Sequence, residues 1–249
     1  MLQEDRYSKI YEIVKAKRSV TVHYLSKKLY ASEATIRRDL QSMEKQNLLK
    51  RVWGGAMIPS LDVDLPPFVR GQKNVAEKEK IARIASRFLK NSCSVFMESS
   101  TSCLPLIPYL KDLKNVVLIT SSLMVSREAT HNTDATVIVI GDQVFDGMIL
   151  TGHVAVESVK QFHTDLMFFS CSGISAAAGI TSIEPKVAEV SQEMMRHSTK
   201  KILLCDSSKV GQDALLTLAD LSVPDYVIMD RVPDDPELVR ILGDRLLTE

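Results

Sequence analysis

Five segments of this sequence are rich in the hydroxyl, glycine and charged side chains that bind small anions. Each follows an apolar, β-branched run, so each is predicted to lie at the carboxyl end of a strand, where open α/β sheets bind ligands. Short hydroxyl-rich loops that lead into helices also offer backbone N–H groups and the positive end of the helix dipole. The predicted ligand is a small phosphorylated sugar or polyol. The segments are Glu98-Ser99-Ser100-Thr101-Ser102, Thr120-Ser121-Ser122, Gly141-Asp142, Ser170-Cys171-Ser172-Gly173 and Asp206-Ser207-Ser208-Lys209.

The sequence lacks the motifs of a phosphate-binding P-loop, a metal site and a disulfide framework. Gly147 and Gly152 have the spacing of a phosphate-binding P-loop, but His153 and Val154 replace its Lys and Ser/Thr. The five histidines show no HxxxH or HxH pairing and the four cysteines form no CxxC, so the sequence predicts no metal, no cofactor and no disulfide framework. Ser and Thr at strand-to-helix junctions also act as helix caps, which is the alternative role for the hydroxyls of the five segments.

These five segments need a sheet to position them, and the apolar, β-branched runs that precede them predict such a sheet. They are apolar on both faces and alternate with helical stretches, which is typical of a mostly parallel α/β sheet covered on both sides. Asn74 and Glu77 have the spacing of a capping box that starts a helix before the first strand. The predicted strands are Ser94–Met97, Val116–Thr120, Thr136–Ile140, Leu166–Phe169, Ile202–Cys205 and Tyr226–Met229. The predicted helices between them are Leu104–Leu110, Leu123–Ala129, Val154–Phe162, Val187–His197 and Pro236–Leu246.

A second group of chemically active side chains lies on one predicted helix near the N-terminus. Ser32 can cap this helix, and Ile36, Leu40 and Met43 form its apolar stripe. The outer face then carries guanidinium, amide and hydroxyl groups, which a helix in the major groove uses to contact base edges and phosphates. The alternative is the solvated face of an ordinary helix. The outer residues are Ala34, Thr35, Arg37, Arg38 and Gln41, and together with Ser32 they are the candidate DNA contacts of this helix.

The elements around this helix favour DNA binding. A preceding helix carries Val22, Leu25 and Leu29 after a Thr21 cap, and a tight turn joins the two helices, as in a helix-turn-helix. After the basic helix, two apolar runs flank a Gly-Gly pair and predict a β-hairpin. With basic residues near its tip, this hairpin is suited to contact the DNA backbone or minor groove as a wing. Its candidate contact residues are Arg51, Trp53, Gly54 and Gly55.

The charge distribution separates the two groups of residues. The 249-residue chain has 31 basic and 31 acidic side chains and a formal net charge of zero. Residues 1–60 hold twelve Lys and Arg against six Asp and Glu, so the charges of the two parts are +6 and −6. The basic part is the one suited to phosphate backbones. Prolines within residues 59–67 predict a linker. The predicted organisation is a winged helix-turn-helix over 1–58, a linker over 59–73 and an α/β ligand domain over 74–249.

Composition also excludes several classes of protein. With 45% hydrophobic and 25% charged residues, the chain can bury a core, which excludes wholesale disorder. No apolar run approaches the ~20 residues that span a bilayer, and the N-terminus lacks the build of a secretion signal. We therefore expect a cytoplasmic protein with no membrane partner.

The sequence also resembles a known family. Residues Ser32 to Leu40, which include the hexapeptide TIRRDL, and the later Gly54-Gly55-Ala56 resemble the N-terminal signature of the DeoR-type bacterial transcriptional repressors. The resemblance covers nearly the whole chain. It implies a winged helix-turn-helix that binds double-stranded operator DNA. It also implies a C-terminal sugar-phosphate sensor, related in fold to ribose-phosphate and glucosamine-phosphate isomerases, through which a homo-oligomer forms. The family usually has His before the Gly pair, where this chain has Trp53.

The resemblance further implies roles in ligand binding. Thr101 and its neighbours would hold the phosphate, with Ser122, Gly173 and Lys209 near the ligand. The family's Asp-x-Gly-Thr-Thr loop is Glu98 to Ser102 here, Asp142 replaces a glycine, and an expected Arg is missing after it; these changes weaken an anion site. The predicted ligand residues are Lys78, Glu98, Ser99, Ser100, Thr101, Ser102, Thr120, Ser121, Ser122, Gly141, Gly152, Gly173, Asp206 and Lys209.

These observations lead to one favoured hypothesis and two alternatives. The favoured one is a repressor of a carbohydrate-related operon whose DNA binding is modulated by a phosphorylated sugar or polyol. The first alternative is a working sugar-phosphate isomerase with a DNA-binding appendage, in which Glu98 is the candidate general base. The second is a DNA-binding oligomer that binds no ligand because Ser100 and Asp142 block the pocket.

Overall fold

The structure, a computed structural model, describes residues 3–17, 19–46, 48–52, 54–57 and 70–249. Contacts divide the chain into two compact units, Met1–Lys73 and Asn74–Glu249. Each unit buries its own apolar core. Trp53 and most of the predicted linker lie outside the described residues.

The described part of the N-terminal unit contains helices α1 (Gln3–Lys17), α2 (Val22–Leu29) and α3 (Glu33–Lys45). Both predicted caps are confirmed, since Thr21 accepts a hydrogen bond from the Tyr24 N–H and Ser32 accepts one from the Thr35 N–H, each at 3.1 Å. Each helix places an apolar stripe in one core, which satisfies the helical periodicity of the sequence. The buried residues of these stripes include Ile10, Val14, Val22, Leu25, Ile36, Leu40 and Met43.

The predicted hairpin is present after α3 and forms part of a small antiparallel sheet. This sheet consists of β1 (Ser19–Thr21), β2 (Lys50–Val52) and β3 (Gly55–Met57), in the order β1-β3-β2. Sequence patterns did not indicate β1, because three residues between two helices are too few to show an alternation. Gly55 pairs with Thr21, and a Cβ at Gly55 would overlap the carbonyl oxygen of Val20. This close approach explains why one position of the Gly-Gly pair requires glycine.

Residues 70–249 contain the strands of the second unit. In chain order they are β4 (Ser94–Met97), β5 (Val117–Thr120), β6 (Thr136–Val139), β7 (Gln143–Phe145), β8 (Ile149–Thr151), β9 (Thr164–Phe169), β10 (Gly173–Ser175), β11 (Gly179–Ser182), β12 (Ser198–Leu204), β13 (Leu216–Ala219), β14 (Tyr226–Ile228) and β15 (Leu246–Leu247). Seven of them form a parallel sheet in the order β15-β14-β12-β9-β4-β5-β6. The direction of strand succession reverses between β4 and β9, which is the topological switch point where open α/β sheets bind ligands.

The helices of this unit are α4 (Val75–Ala85), α5 (Leu123–Asn132), α6 (His153–Val159), α7 (Pro185–Arg196) and α8 (Pro236–Leu242). The predicted helix over Leu104–Leu110 is a 3-10 helix, and Pro108 inside it removes a backbone donor that an α-helix would use. Several details of the prediction are wrong. The helix predicted over Val154–Phe162 ends at Val159, and the strand predicted over Ile202–Cys205 begins at Ser198. The last helix ends at Leu242, and Leu246 belongs to the edge strand β15. Asn74 precedes α4 in a left-handed conformation and its side chain does not cap the helix.

All six predicted strands are found in the parallel sheet, and both faces of its inner strands are buried. Phe96, Phe169 and Leu203 belong to one apolar cluster, whereas their neighbours Val95 and Phe168 belong to the other. This burial on both faces is the reason that the strands read as continuous apolar runs. The β7–β8 hairpin and the antiparallel β10-β11-β13 sheet were not predicted, because their strands of three or four residues lack such runs.

Candidate nucleic-acid interface and anion site

Helix α3 presents the predicted basic face to solvent. Ala34, Arg37, Arg38 and Gln41 are exposed, as is the capping residue Ser32, and Thr35 is half-buried. Periodicity therefore assigned the two faces of this helix correctly. The exposed groups are a hydroxyl, an amide and two guanidiniums, the set that reads base edges in a major groove.

The two arginines of this face have different surroundings. The Arg37 guanidinium donates to Glu33 Oε2 at 2.8 Å, one turn earlier on the same helix. Arg38 forms no ion pair with any residue that the structure describes. Arg38 can therefore meet a base or phosphate without first giving up a carboxylate partner.

The inner side of α3 is held by an ion pair that sequence analysis missed. Arg6 on α1 reaches Asp39 through Nε at 2.5 Å and through Nη2 at 3.1 Å, and Asp39 is only 2% exposed. The hydrogen bond to Asp39 raises the pKa of Arg6. Asp39 belongs to the same hexapeptide as Arg37 and Arg38, so one short segment supplies both the outward guanidiniums and the inward carboxylate that fixes the helix.

The described part of the wing is connected to α3 by Glu44. Arg51 is exposed, its N–H donates to Glu44 Oε1 at 2.8 Å, and its guanidinium lies 3.8 Å from Glu44 Oε2. Gly54 is exposed, with a positive φ of 77°, and Gly55 is buried in the small sheet. Of the predicted wing residues, Arg51 and Gly54 are thus accessible and Gly55 has a packing role.

In the second unit, Glu98 spans the switch point between β4 and β9. Its Oε2 accepts the Ser170 N–H at 2.8 Å, and its Oε1 accepts the Ser191 hydroxyl at 2.5 Å. Glu98 is 7% exposed. These bonds join the loop after β4 to the end of β9 and to α7, so Glu98 acts as a brace between three elements.

Two lysines lie at this carboxyl edge of the sheet. Lys78 on α4 is 5% exposed, and its Nζ lies 3.3 Å from Thr101 Oγ1 in the loop after β4. Lys209, in the turn after β12, donates to Ser170 Oγ at 2.8 Å. Ser170 Oγ in turn lies 3.4 Å from Ser102 Oγ. Hydrogen bonds thus link Lys78 to Thr101, and link Ser170 to Glu98, Ser102 and Lys209. We call these six residues, which lie on α4 and at the ends of three neighbouring strands, the switch-point cluster.

The loop after β4 is closed by its own hydroxyls. Ser100 Oγ accepts the Ser102 N–H at 3.1 Å, and the Ser100 N–H donates to the Glu98 carbonyl at 2.8 Å. Ser99 Oγ is buried and has no hydrogen-bond partner among the described residues.

Asp206 extends the cluster toward the start of α4. It is buried, accepts a bond from Asn74 Nδ2 at 2.9 Å, and lies 3.9 Å from Lys209 Nζ. Asn74 also donates to Ser208 Oγ at 3.0 Å. The sequence suggested a helix cap for Asn74, and no local pattern could have shown a partner 132 residues away.

The predicted ligand residues after β5 have structural hydrogen bonds. Thr120 Oγ1 donates to the Met97 carbonyl at 2.7 Å, and Ser122 Oγ accepts the Val125 N–H at 3.2 Å as the cap of α5. The carbonyl of Ser121 accepts the Leu150 N–H at 2.6 Å and joins the end of β5 to β8. The hydrogen bonds of these residues cap a helix or link neighbouring strands, which is the alternative role that the sequence left open for them.

The three glycines predicted to line the site leave no room for a Cβ, because atoms of other residues lie too close. A Cβ at Gly173 would overlap the Gln212 carbonyl, and one at Gly141 would lie 2.6 Å from Leu150 Cβ. At Gly152 it would lie 2.9 Å from Asp142 Oδ1. Gly141, Gly152 and Asp142 accompany the β7–β8 hairpin, and the structure shows no hydrogen bond from them to the switch-point cluster within residues 70–249.

Neither a metal site nor a membrane span is found in the described ranges. No group of three His, Cys, Asp or Glu side chains there could hold a metal ion. No helix in this part of the chain is long and apolar enough to cross a membrane.

Comparison with known proteins assigns both units. The family described as "DeoR-like helix-turn-helix domain" matches residues 6–61, and the family described as "DeoR C terminal sensor domain" matches residues 73–231. Part of the chain is also similar to ribose 5-phosphate isomerase A from Methanocaldococcus jannaschii, at 14% identity and a TM-score of 0.41, over 55% of each chain.

Two relatives align along almost the whole chain. A Bacillus subtilis (strain 168) protein named as the uncharacterized HTH-type transcriptional regulator YulB is 30% identical over 98% of this chain and 95% of the relative. The glycerol-3-phosphate regulon repressor of Escherichia coli (strain K12) is 28% identical over 98% of this chain and 97% of the relative. The chain therefore belongs to the DeoR family of transcriptional regulators.

Proposed function

We propose that this regulator is a repressor that binds operator DNA through α3 and the wing, and that a small phosphorylated sugar or polyol in the second unit modulates this binding. The observation that carries the ligand half is the pair of ammonium groups, Lys78 and Lys209, at the switch point of the parallel sheet. The DNA half is supported by the exposed arginines of α3 and the +6 charge of residues 1–60.

The chemistry of the switch-point cluster suits a phosphate carried on a hydroxylated group. Two lysines supply positive charge, and Thr101 and Ser102 supply hydroxyls that can donate to phosphate oxygens or accept from a sugar. The Ser170 hydroxyl donates to the Leu204 carbonyl at 2.7 Å, so it can only accept from a ligand. Ser99 Oγ offers a further buried donor. Glycerol 3-phosphate is the first ligand to test, since the E. coli relative is named for that regulon.

The acidic residues of the site do not oppose this proposal. Glu98 accepts hydrogen bonds at both carboxylate oxygens from protein donors, and Asp206 accepts from Asn74 and lies near Lys209. Part of their negative charge is thus compensated within the protein. We infer that Glu98 braces the sheet ends and does not transfer protons, so the second unit has no isomerase activity.

Repression from paired half-sites requires more than one copy of the DNA-binding unit. We propose that the second unit forms a homo-oligomer. The stretch of chain from edge strand β6 to the start of α6 exposes four large apolar side chains, which is typical of an interface. They are Val139, Val144, Met148 and Val154. Sedimentation of the full chain should give a multiple of the 27.8 kDa protomer mass, and a Val144→Lys, Met148→Lys variant should sediment as a single protomer.

As a DNA-binding regulator, the protein would act in the cytoplasm.

Ligand binding can be tested by thermal unfolding of the full chain. Glycerol 3-phosphate, pentose 5-phosphates and hexose 6-phosphates are added singly, with inorganic phosphate and glycerol as references. A true ligand at 100 times its Kd stabilises the folded state by about 2.7 kcal/mol. The stabilising ligand should lose its effect on Lys209→Met and keep it on Lys111→Met, an exposed lysine outside the site. If no phosphorylated compound raises the Tm, the ligand half of the proposal fails.

A further inference from the structure

Two cysteines meet at the carboxyl edge of the sheet. Cys171 follows β9 by two residues, and Cys205 follows β12 directly. These strands are parallel neighbours whose register pairs Phe169 with Leu203, so two further residues on each strand place the cysteines opposite each other. Their sulfur atoms are 3.7 Å apart.

This geometry is compatible with a disulfide. Neighbouring strands lie about 4.8 Å apart, which is within the range of Cα separations that disulfides bridge. The sulfurs need to approach by roughly 1.7 Å to reach bonding distance. Rotation about the side-chain torsions can supply that movement, so the sheet itself does not have to open.

The two thiols are chemically unequal. Cys171 is partly exposed, whereas Cys205 is fully buried. The contact with the Cys205 sulfur lowers the pKa of Cys171, and the nearby Lys209 ammonium acts in the same direction, against burial and the charges of Glu98 and Asp206. The same contact with Cys171, together with burial, raises the pKa of Cys205 well above its usual value. Cys171 is thus the more accessible thiol, with the lowered pKa, and Cys205 is the buried partner behind it.

We propose that Cys171 and Cys205 are a reversible redox pair that a hydroperoxide converts into a disulfide. The Cys171 thiolate attacks the terminal peroxide oxygen, the O–O bond breaks, and the alcohol or water leaves with a proton; the sulfur is oxidised to a sulfenic acid and the peroxide is reduced. The Cys205 sulfur then attacks that sulfenic sulfur and gives up its proton, the S–O bond breaks, and water leaves. A dithiol reductant restores both thiols by exchange.

The remaining cysteines lack this arrangement and supply the controls. Cys93 and Cys103 are fully buried, and the Cys103 thiol donates to the Phe168 carbonyl at 3.7 Å. Burial raises the pKa of Cys103 well above its usual value. The redox pair itself adjoins the switch-point cluster, because Ser170 precedes Cys171 and Asp206 follows Cys205.

The experiment treats the native full chain with one equivalent of hydrogen peroxide, blocks remaining thiols with N-ethylmaleimide, and maps tryptic peptides by mass spectrometry. The cysteines fall on different peptides, residues 161–186 and 202–209, while Cys93 and Cys103 share residues 91–111. We expect the first two peptides to be cross-linked with loss of two hydrogen atoms, and a dithiol to separate them. Cys93→Ser should leave the cross-link unchanged.

The variants separate the two roles. In Cys205→Ser, Cys171 should stop at the sulfenic acid and be labelled by dimedone, and in Cys171→Ser the peroxide should leave Cys205 unmodified. The proposal is overturned if the wild type yields no cross-link between these peptides, if peptide 91–111 is cross-linked instead, or if a dithiol does not reverse the product. None of these readouts depends on DNA or sugar phosphates, so their failure is distinct from failure of the proposed function.

Discussion

Arg6 and Asp39 form a two-point ion pair that joins the first helix to the buried side of the basic helix α3. The contacts are 2.5 and 3.1 Å long, and the carboxylate is almost completely excluded from solvent. Because a paired, buried carboxylate tolerates little displacement, this contact fixes the orientation in which α3 presents Arg37 and Arg38.

The first prediction concerns the stability of the N-terminal unit. Asp39→Ala removes the buried acceptor of two hydrogen bonds from the Arg6 guanidinium, which should lower the free energy of unfolding of this unit by about 2–3 kcal/mol. Chemical denaturation followed by circular dichroism measures the change. Arg37→Ala, which breaks only the exposed pair with Glu33, should cost no more than about 0.5 kcal/mol. Equal effects of the two variants would show that the inner pair does not hold the helix.

The second prediction distinguishes the two outer arginines. Arg38→Ala should weaken operator binding at fixed salt by roughly 10- to 100-fold, because a good contact to a base edge contributes about 1–3 kcal/mol. Arg37→Ala should weaken operator binding less, since the Arg37 guanidinium already donates a hydrogen bond to Glu33. The control is Arg87→Ala, which removes an exposed charge from the second unit. Unchanged retardation by Arg38→Ala would mean that α3 is not the recognition helix.

The third prediction concerns a glycine that was expected to contact the ligand. Gly173→Ala places a methyl group against the Gln212 carbonyl, which should destabilise the second unit by about 1–3 kcal/mol without any ligand. Denaturant unfolding measures this, with the adjacent Ser172→Ala as a control. If stability is unaffected and only ligand binding is lost, Gly173 contacts the ligand and the packing role is wrong.

Local patterns predicted the parallel sheet well for a physical reason. Strands buried on both faces, such as β4 and β9, read as apolar runs, and the helices of the N-terminal unit carry one apolar stripe each. The edge strand β15 has two half-buried residues, which is too little for a pattern. The sequence identified Thr21 and Ser32 as helix caps because a capping side chain bonds to a backbone N–H only three residues away.

Contacts between distant segments could not be predicted in the same way. Asn74 binds Asp206, and Arg6 binds Asp39, across separations that no periodicity spans. Position at a strand end also did not separate ligand residues from structural ones: Thr120 and Ser122 have bracing hydrogen bonds, while Ser170, Lys209 and Thr101 lie in the switch-point cluster.

The fourth prediction concerns catalysis. Because both Glu98 oxygens already accept hydrogen bonds, the protein should not isomerise pentose or amino-sugar phosphates above the rate without protein. Glu98→Ala should instead lower the free energy of unfolding by about 1–3 kcal/mol, since the Ser170 N–H and the Ser191 hydroxyl lose their acceptor. A coupled turnover assay and denaturant unfolding test the two parts. Turnover that disappears in Glu98→Gln would make Glu98 a catalytic base and contradict this account.

The most direct test of the central claim is retardation of a DNA fragment from the promoter region of the protein's own gene, at fixed salt, with and without phosphorylated ligands. We predict that at least one compound among glycerol 3-phosphate, pentose phosphates and hexose phosphates changes DNA affinity by about tenfold. Glycerol and inorganic phosphate should not do so. Lys209→Met should bind the fragment like the wild type and fail to respond. If no compound changes the DNA affinity of the wild type, the second unit is not a sugar-phosphate sensor and the account is contradicted.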